Sequence, residues 1–129
     1  MNPTTAPLAP FKSVRYAGRA PGPRLIVTGA VHGNETCGPR AIERVLAELD
    51  SGTLCIERGL LTLVPVTNPL AYVRRERRGE RNLNRGLHPT DAPVEFEDHI
   101  ANWLCPWLAA HDVLLDLHSF ASPGRPFVM

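Results

Sequence analysis

Three short apolar segments constrain the fold of this chain more than any other feature of its sequence. They cover residues 25–28, 60–66 and 112–118, and each has the length of a strand. Continuous apolar runs are typical of strands covered on both faces, as in a parallel sheet. A shorter strand is expected at 11–16, and a helical turn plus loop at 70–85. The sequence therefore predicts an α/β fold with a mixed, mainly parallel sheet and helices on both faces.

Two segments between these strands have the spacing of a helix. Apolar residues recur between positions 42 and 49 after Thr36, which we expect to be the N-cap. A second helix is expected to be capped by Thr90 or Asp91, and Pro106 should kink it or end its first half. Its apolar side consists of Phe96, Ile100, Trp103, Leu104, Trp107 and Leu108.

The composition indicates one globular domain or part of one. The chain has 129 residues, 43% of them hydrophobic, and its net charge of +1 gives no general attraction to nucleic acid or anionic membranes. Residues 1–10 are expected to form a flexible lead-in without signal-peptide character, and no segment is long enough to span a bilayer. Three widely spaced cysteines favour a cytoplasmic location. Because residues 126–129 are apolar and lack a closing turn, we expect a fragment.

Polar residues at the carboxyl ends of two predicted strands form a candidate metal site. His32 and Glu35 follow the first strand, and Gly33 between them permits a turn that lets both side chains converge on one cation. His118 ends the last strand, and ligands of open α/β sheets gather at such ends. Although a His-x-x-Glu pair also occurs by chance, three ligands and a free fourth position suit catalytic zinc. Asp116, on the same strand face as His118, is expected to orient an imidazole.

Structural roles are expected for most other polar candidates. His88, His99 and His111 are predicted to be structural or solvated, and Cys37 to be a small buried residue of the first helical turn. Most arginines between 74 and 85 should form a solvated loop, although one or two over the metal site could select an anionic substrate. This segment has no aromatic residues for base stacking, which argues against a nucleic-acid site.

Four short motifs occur in an order and spacing typical of a known family. They are His32-Gly33-Asn34-Glu35, Asn68-Pro69 with Ala71, Asn82-Leu83-Asn84-Arg85, and Asp116-Leu117-His118-Ser119. Over residues 25–118 the chain resembles the succinylglutamate desuccinylase/aspartoacylase family, relatives of the zinc carboxypeptidases. The resemblance implies the N-terminal part of a single zinc carboxypeptidase-like catalytic domain, truncated at residue 129. It also implies a zinc-dependent amidohydrolase that removes the acyl group from a small anionic N-acyl amino acid.

The resemblance also implies roles for particular residues, carried over by position. His32, Glu35 and His118 would hold Zn²⁺, Asn84 and Arg85 would bind the carboxylate or acyl end of the substrate, and Arg77 would help to polarise the scissile carbonyl.

Two residues depart from the family pattern, and one catalytic residue has no counterpart. Many members have aspartate where Asn82 stands and an aromatic residue where Leu87 stands. The family's general-base glutamate follows the third zinc ligand on a later strand, which we expect to lie beyond residue 129. We therefore expect zinc binding without turnover, and self-association through exposed sheet edges. The alternatives are a zinc carboxypeptidase acting on peptides and a binding module that keeps the fold without chemistry.

Overall fold

Strands and helices alternate along most of the chain. The computed structural model describes residues 8–120 and 122–129. Of the lead-in expected at 1–10, residues 1–7 lie outside the described residues, and residues 8–10 form neither helix nor strand. In chain order the elements are β1 (Val14–Ala17), β2 (Ala20–Gly29), α1 (Cys37–Asp50), β3 (Arg58–Val64), α2 (Pro69–Arg74), α3 (Phe96–Ala109) and β4 (Val113–Leu117).

The strands form one mixed sheet in the order β1-β3-β2-β4. β2 pairs in parallel with β3 on one side and with β4 on the other, while β1 pairs antiparallel with β3. The carboxyl ends of β2, β3 and β4 therefore lie at one edge of the sheet, and the loops that follow them meet there. This confirms the predicted mainly parallel sheet.

Helices cover both faces of this sheet. Successive side chains of β2 point to opposite faces, so Ile26 and Val27 belong to different clusters of the core. Ile26 packs in a cluster with Ile100 of α3, whereas Val27 packs with Ile42 of α1. Each fully buried aliphatic side chain stabilises the fold by about 1.5–3 kcal/mol. The predicted placement of helices on both faces is confirmed.

The first strand is shorter than predicted. It begins at Val14 rather than at residue 11, and its pairing with β3 starts with Val14 opposite Leu63. Phe11 is instead buried in the core, where its ring packs edge-on against Trp107 with 5.4 Å between ring centroids. The apolar character of Phe11 reflects packing against α3 rather than strand pairing.

Helix α3 begins later than predicted. Its first residue is Phe96, and its first turn is stabilised by Asp98, whose Oδ2 accepts hydrogen bonds from the backbone N–H groups of Val94 at 3.0 Å and Glu95 at 3.1 Å. Thr90 bonds instead to the side chain of Asn102. The helix also continues through Pro106 to Ala109, because a proline in the last turn disrupts few backbone hydrogen bonds.

Strand β4 forms an edge of the sheet within the described residues. Its apolar side chains are about half exposed, with values of 52% for Val113, 48% for Leu114 and 43% for Leu115. A parallel strand with apolar residues on both faces is normally covered on both. In the part of the chain that the structure describes, no helix is both long and apolar enough to cross a membrane.

Candidate metal centre

The loop after β2 brings His32 into the interior. Ala30 adopts a left-handed conformation with φ 48°, unusual for a residue with a Cβ atom. The carbonyl oxygens of Gly29 and Ala30 accept hydrogen bonds from the backbone N–H groups of Thr67 at 2.9 Å and Asn68 at 3.1 Å. The loop after β2 is thereby joined to the loop after β3, and His32 is left only 2% exposed.

Gly33 has a different role from the one predicted. The backbone of Gly33 is not in the left-handed region. Among the glycines that the structure describes, positive φ occurs at Gly52, Gly59 and Gly86. A Cβ atom on Gly33 would instead lie 2.0 Å from the carbonyl carbon of Ala71 in α2. Glycine is therefore required because α2 lies directly against this loop.

The three predicted metal ligands meet at one point. His32 Nδ1 lies 2.9 Å from Glu35 Oε1, and His118 Nδ1 lies 2.9 Å from Glu35 Oε2. One candidate ligand atom from each residue lies within 4.8 Å of the others. Glu35 is 7% exposed and also accepts a hydrogen bond from the backbone N–H of Ser119 at 2.9 Å. Residues 83 positions apart thus form one compact His-Glu-His group.

The far side of each imidazole is held by a separate oxygen. His32 Nε2 lies 3.1 Å from Asn82 Oδ1, and His118 Nε2 lies 2.7 Å from Asp116 Oδ2. Asn82 Oδ1 also accepts from the backbone N–H of Asn84 at 3.0 Å, which identifies this atom as the amide oxygen. Both outer oxygens are acceptors and favour hydrogen on the Nε2 atoms. Each Nδ1 atom faces the Glu35 carboxylate, to which it donates when it carries hydrogen and beside which its lone pair could bind a cation when it does not.

Glu35 and His118 favour their charged forms. Burial would raise the pKa of Glu35, but hydrogen bonds from Ser119 and His32 and the charges of the imidazoles lower it below its ordinary value. Burial would lower the pKa of His118, but Asp116 and Glu35 raise it. The carboxylate of Glu35 is therefore ionised near neutral pH, and its negative charge faces both imidazoles.

Arg77 is the arginine that reaches the His-Glu-His group. Its guanidinium Nη1 lies 3.6 Å from Glu35 Oε1, and its side chain is 56% exposed. Two other arginines of this segment have structural contacts: Arg81 pairs with Asp98 at 2.9 Å, and Arg74 donates to the carbonyl of Gly79 at 3.0 Å. Arg77 thus places a solvent-accessible positive charge beside Glu35.

Asn84 and Arg85 lie on the same loop but outside direct contact with the three predicted ligands. The backbone N–H of Asn84 bonds to Asn82, and Arg85 Nη1 donates to the carbonyl of Asn84 at 2.7 Å. Both residues are exposed. Asn84 also lines an apolar cleft together with Asp116. The two residues therefore lie beside the group rather than in it.

The remaining histidines lie apart from this site, and Cys37 differs from its prediction. His111 bonds to Thr62 Oγ1 at 2.7 Å and to the carbonyl of Trp107 at 2.6 Å, while His88 and His99 are exposed. Cys37 is exposed rather than buried. It begins α1, and its Sγ lies 3.7 Å from the carbonyl oxygen of His118, to which it donates a weak hydrogen bond.

One buried charged residue near the site was missed at the level of sequence. Glu97 of α3 is 0% exposed and accepts hydrogen bonds from Asn68 and from the loop before Asn82. Burial would raise the pKa of Glu97, but these hydrogen bonds lower it below its ordinary value. A signal was present, because Glu97 precedes Ile100 by three positions and Leu104 by seven, on the apolar side of the helix.

Comparison with known protein families gives a match that covers most of the chain. The sequence profile of the succinylglutamate desuccinylase/aspartoacylase catalytic domain matches residues 21–122. The chain belongs to this family. The matched range contains the His-Glu-His group and the arginine-rich loop, and the predicted resemblance is confirmed. The family named in this match consists of deacylases, enzymes that remove acyl groups.

Several solved structures, among them family members, share the fold. An aspartoacylase family protein from Mesorhizobium loti is 32% identical with a TM-score of 0.74, and the match covers 85% of this chain and 35% of that one. The ectoine utilization protein EutE from Ruegeria pomeroyi, solved with product bound, is 30% identical with a TM-score of 0.66, covering 79% and 31%. A succinylglutamate desuccinylase from a Silicibacter species is 28% identical with a TM-score of 0.66, covering 84% and 33%.

The chain is much shorter than these three solved proteins. It spans about a third of their length, with 35%, 31% and 33% of the three solved chains covered. Curated proteins gave no match to the sequence.

Proposed function

We propose that this chain is the metal-binding part of a zinc-dependent deacylase, with His32, Glu35 and His118 as the ligands. The observation that carries the proposal is the direction of the two imidazoles. Both Nδ1 atoms face the carboxylate of Glu35, while both Nε2 atoms are held from outside by Asn82 and Asp116. Outer partners of this kind fix the tautomer of metal-binding histidines.

The residues of the group fit zinc chemically. Two imidazoles and one carboxylate suit Zn²⁺ and leave a fourth position for water. When bound, zinc would lower the pKa of a water molecule to about 7 and polarise a carbonyl oxygen. The ionised Glu35 supplies the negative charge that such a cation needs.

For the substrate we propose a small anionic N-acyl amino acid. Arg77 has an exposed side chain whose guanidinium lies beside Glu35, where it would help to polarise the oxygen of the scissile amide. Asn84 and Arg85 lie on the adjoining loop and would bind the carboxylate or acyl end, because a guanidinium can hold a carboxylate with two hydrogen bonds. Membership of a deacylase family favours this substrate over the peptides cleaved by a carboxypeptidase.

Residues 1–129 are further proposed to correspond to the N-terminal part of a single catalytic domain. The greater length of the solved family members supports this proposal. The free cysteines Cys37, Cys55 and Cys105 support a cytoplasmic location. We propose that the chain binds neither nucleic acid nor membranes.

The zinc proposal is tested by elemental analysis after incubation with zinc and gel filtration. The wild-type chain should retain zinc in stoichiometric amount, whereas His32→Ala and His118→Ala should lose it. His99→Ala is the matched control, because His99 is an exposed histidine on α3, and it should retain zinc. Zinc at background level in the wild type, or unchanged zinc in His32→Ala, would refute the proposal.

We also propose that the 129-residue chain does not turn over substrate. The carboxylates that contact the two imidazoles, Glu35 and Asp116, are already engaged with them, which leaves neither free to take a proton from water. The zinc-loaded chain should therefore show no more deacylation of N-succinylglutamate or N-acylated aspartate than His118→Ala. Substantial zinc-dependent release of the acyl group, lost in His118→Ala, would contradict this expectation.

A further inference from the structure

Glu97 is a fully buried carboxylate that binds one face of the arginine-rich loop. Its Oε1 accepts from the backbone N–H groups of Gly79 at 2.9 Å and Glu80 at 3.2 Å, and its Oε2 accepts from those of Glu80 at 3.2 Å and Arg81 at 3.1 Å. Asn68 Nδ2 adds a further hydrogen bond to Oε1 at 2.9 Å. The carboxylate therefore joins α3 to three consecutive residues of the loop.

These hydrogen bonds compensate the cost of burying the Glu97 carboxylate. A buried carboxylate costs several kcal/mol unless hydrogen bonds compensate it, and charge-assisted hydrogen bonds are about twice as strong as neutral ones. Successive backbone N–H groups form a concave site that binds anions, and here the side chain of Glu97 is the anion. Loss of its charge would leave buried donors without a charged partner.

The residues that bond to Glu97 belong to two segments next to the metal centre. The loop at 79–81 directly precedes Asn82, whose Oδ1 contacts His32 Nε2. Asn68 caps α2, since its Oδ1 accepts from the backbone N–H of Ala71, and its own N–H bonds to the carbonyl of Ala30. The Glu97 carboxylate thus contacts both the loop that leads to Asn82 and the Asn68 side chain, whose residue bonds to the backbone before His32.

We propose that Glu97 is a positioning residue for the metal centre. It holds residues 79–81 in place so that Asn82 fixes the hydrogen of His32 on Nε2 and leaves Nδ1 for the metal. The part of this inference that concerns metal affinity rests on the proposed zinc function. The part that concerns the loop and the imidazole tautomer does not.

The test compares Glu97→Gln with Leu49→Ala. Glutamine has the shape of glutamate but no charge, and its amide nitrogen cannot accept hydrogen bonds. Leu49 is buried at the far end of α1 in the other core cluster, so Leu49→Ala lowers stability without contact to the loop. Three quantities are measured at one pH: amide hydrogen exchange of residues 79–81, the His32 tautomer by ¹⁵N NMR, and the Kd for Zn²⁺ by chelator competition.

Glu97→Gln should raise amide exchange at 79–81 relative to β2, shift the hydrogen of the neutral His32 ring from Nε2 toward Nδ1, and weaken zinc binding by about tenfold. Leu49→Ala should change none of these relative values. Equal effects of the two variants would overturn the proposal. If the wild type binds no zinc, the proposed function fails, while the exchange and tautomer measurements still decide the role of Glu97.

A second variant covers the case in which Glu97→Gln does not fold. Asn82→Ala removes the contact through which Glu97 is proposed to act, at a residue that is not fully buried. It should by itself shift the hydrogen of the neutral His32 ring from Nε2 toward Nδ1 and weaken zinc binding about as much as Glu97→Gln. Where Glu97→Gln does fold, the two losses should not add in the double variant, because both act on His32. An unchanged tautomer in Asn82→Ala, or fully additive losses, would overturn the proposal.

Discussion

Gly33 is the residue at the metal centre with the least space for a side chain. A Cβ atom there would lie 2.0 Å from the carbonyl carbon of Ala71 and 2.1 Å from its oxygen. We predict that Gly33→Ala destabilises the chain by about 3 kcal/mol, since the loop after β2 and α2 must separate. Urea unfolding measures the loss.

The control for this prediction is Gly124→Ala. A Cβ atom on Gly124 would have no heavy atom within 4 Å, so its effect should stay within about 0.5 kcal/mol. Equal stabilities of the Gly33 and Gly124 variants would contradict the close packing described above.

Some residues of the site could be predicted from the sequence, and others could not. His32 and His118 follow apolar strands, and parallel strands place their carboxyl ends together, so their convergence follows from the pattern. Asn82 lies on a loop without periodicity and contacts His32 across 50 positions, a pairing that local rules cannot predict. The burial of Glu97 could be predicted from its place on the apolar side of α3, but its role could not, because that role depends on backbone donors 16 to 18 positions away.

At the level of elements, the start of α3 depends on the charge of Asp98. Backbone N–H groups of Val94 and Glu95 and the guanidinium of Arg81 lower the pKa of Asp98 to about 2. A folded-state pKa below the unfolded value stabilises the fold above about pH 4, and this contribution is lost as pH falls toward 2.

Asp98→Asn should therefore be less stable than the wild type at pH 7, and the difference should shrink as pH falls from 4 toward 2. Urea unfolding at several pH values gives the comparison. A difference that does not change with pH would show that the carboxylate charge does not stabilise α3.

The exposed edge of strand β4 leads us to predict that the chain associates with itself. Its outer edge has unpaired backbone groups within the described residues, and its apolar side chains are about half exposed, with 48% for Leu114. Such edges pair with other strands, and a lysine on them opposes pairing. The wild-type chain should associate at high concentration in light scattering, and Leu114→Lys should reduce the association.

The control for association is Val94→Lys, at an 86% exposed position outside the sheet, which should associate like the wild type. A wild-type chain that remains monomeric at high concentration would refute the role of β4 as an associating edge.

For the whole molecule, the pattern of short apolar strands and helical periods was sufficient to predict the architecture. The strand order β1-β3-β2-β4 has parallel neighbours at its centre, which the continuous apolar character of residues 60–66 indicated. The boundaries were less predictable. Phe11 and Thr90 make tertiary contacts with α3, and those contacts, rather than local preference, set where β1 and α3 begin.

The central claim is that His32, Glu35 and His118 hold zinc through the Nδ1 atoms of both imidazoles. Diffraction from zinc-soaked crystals of the chain, measured on both sides of the zinc absorption edge, tests it most directly. We predict one anomalous peak at about 2.0–2.2 Å from His32 Nδ1, His118 Nδ1 and a carboxylate oxygen of Glu35. A peak bonded to the Nε2 atoms, a peak at another site, or no peak at this group would contradict the claim.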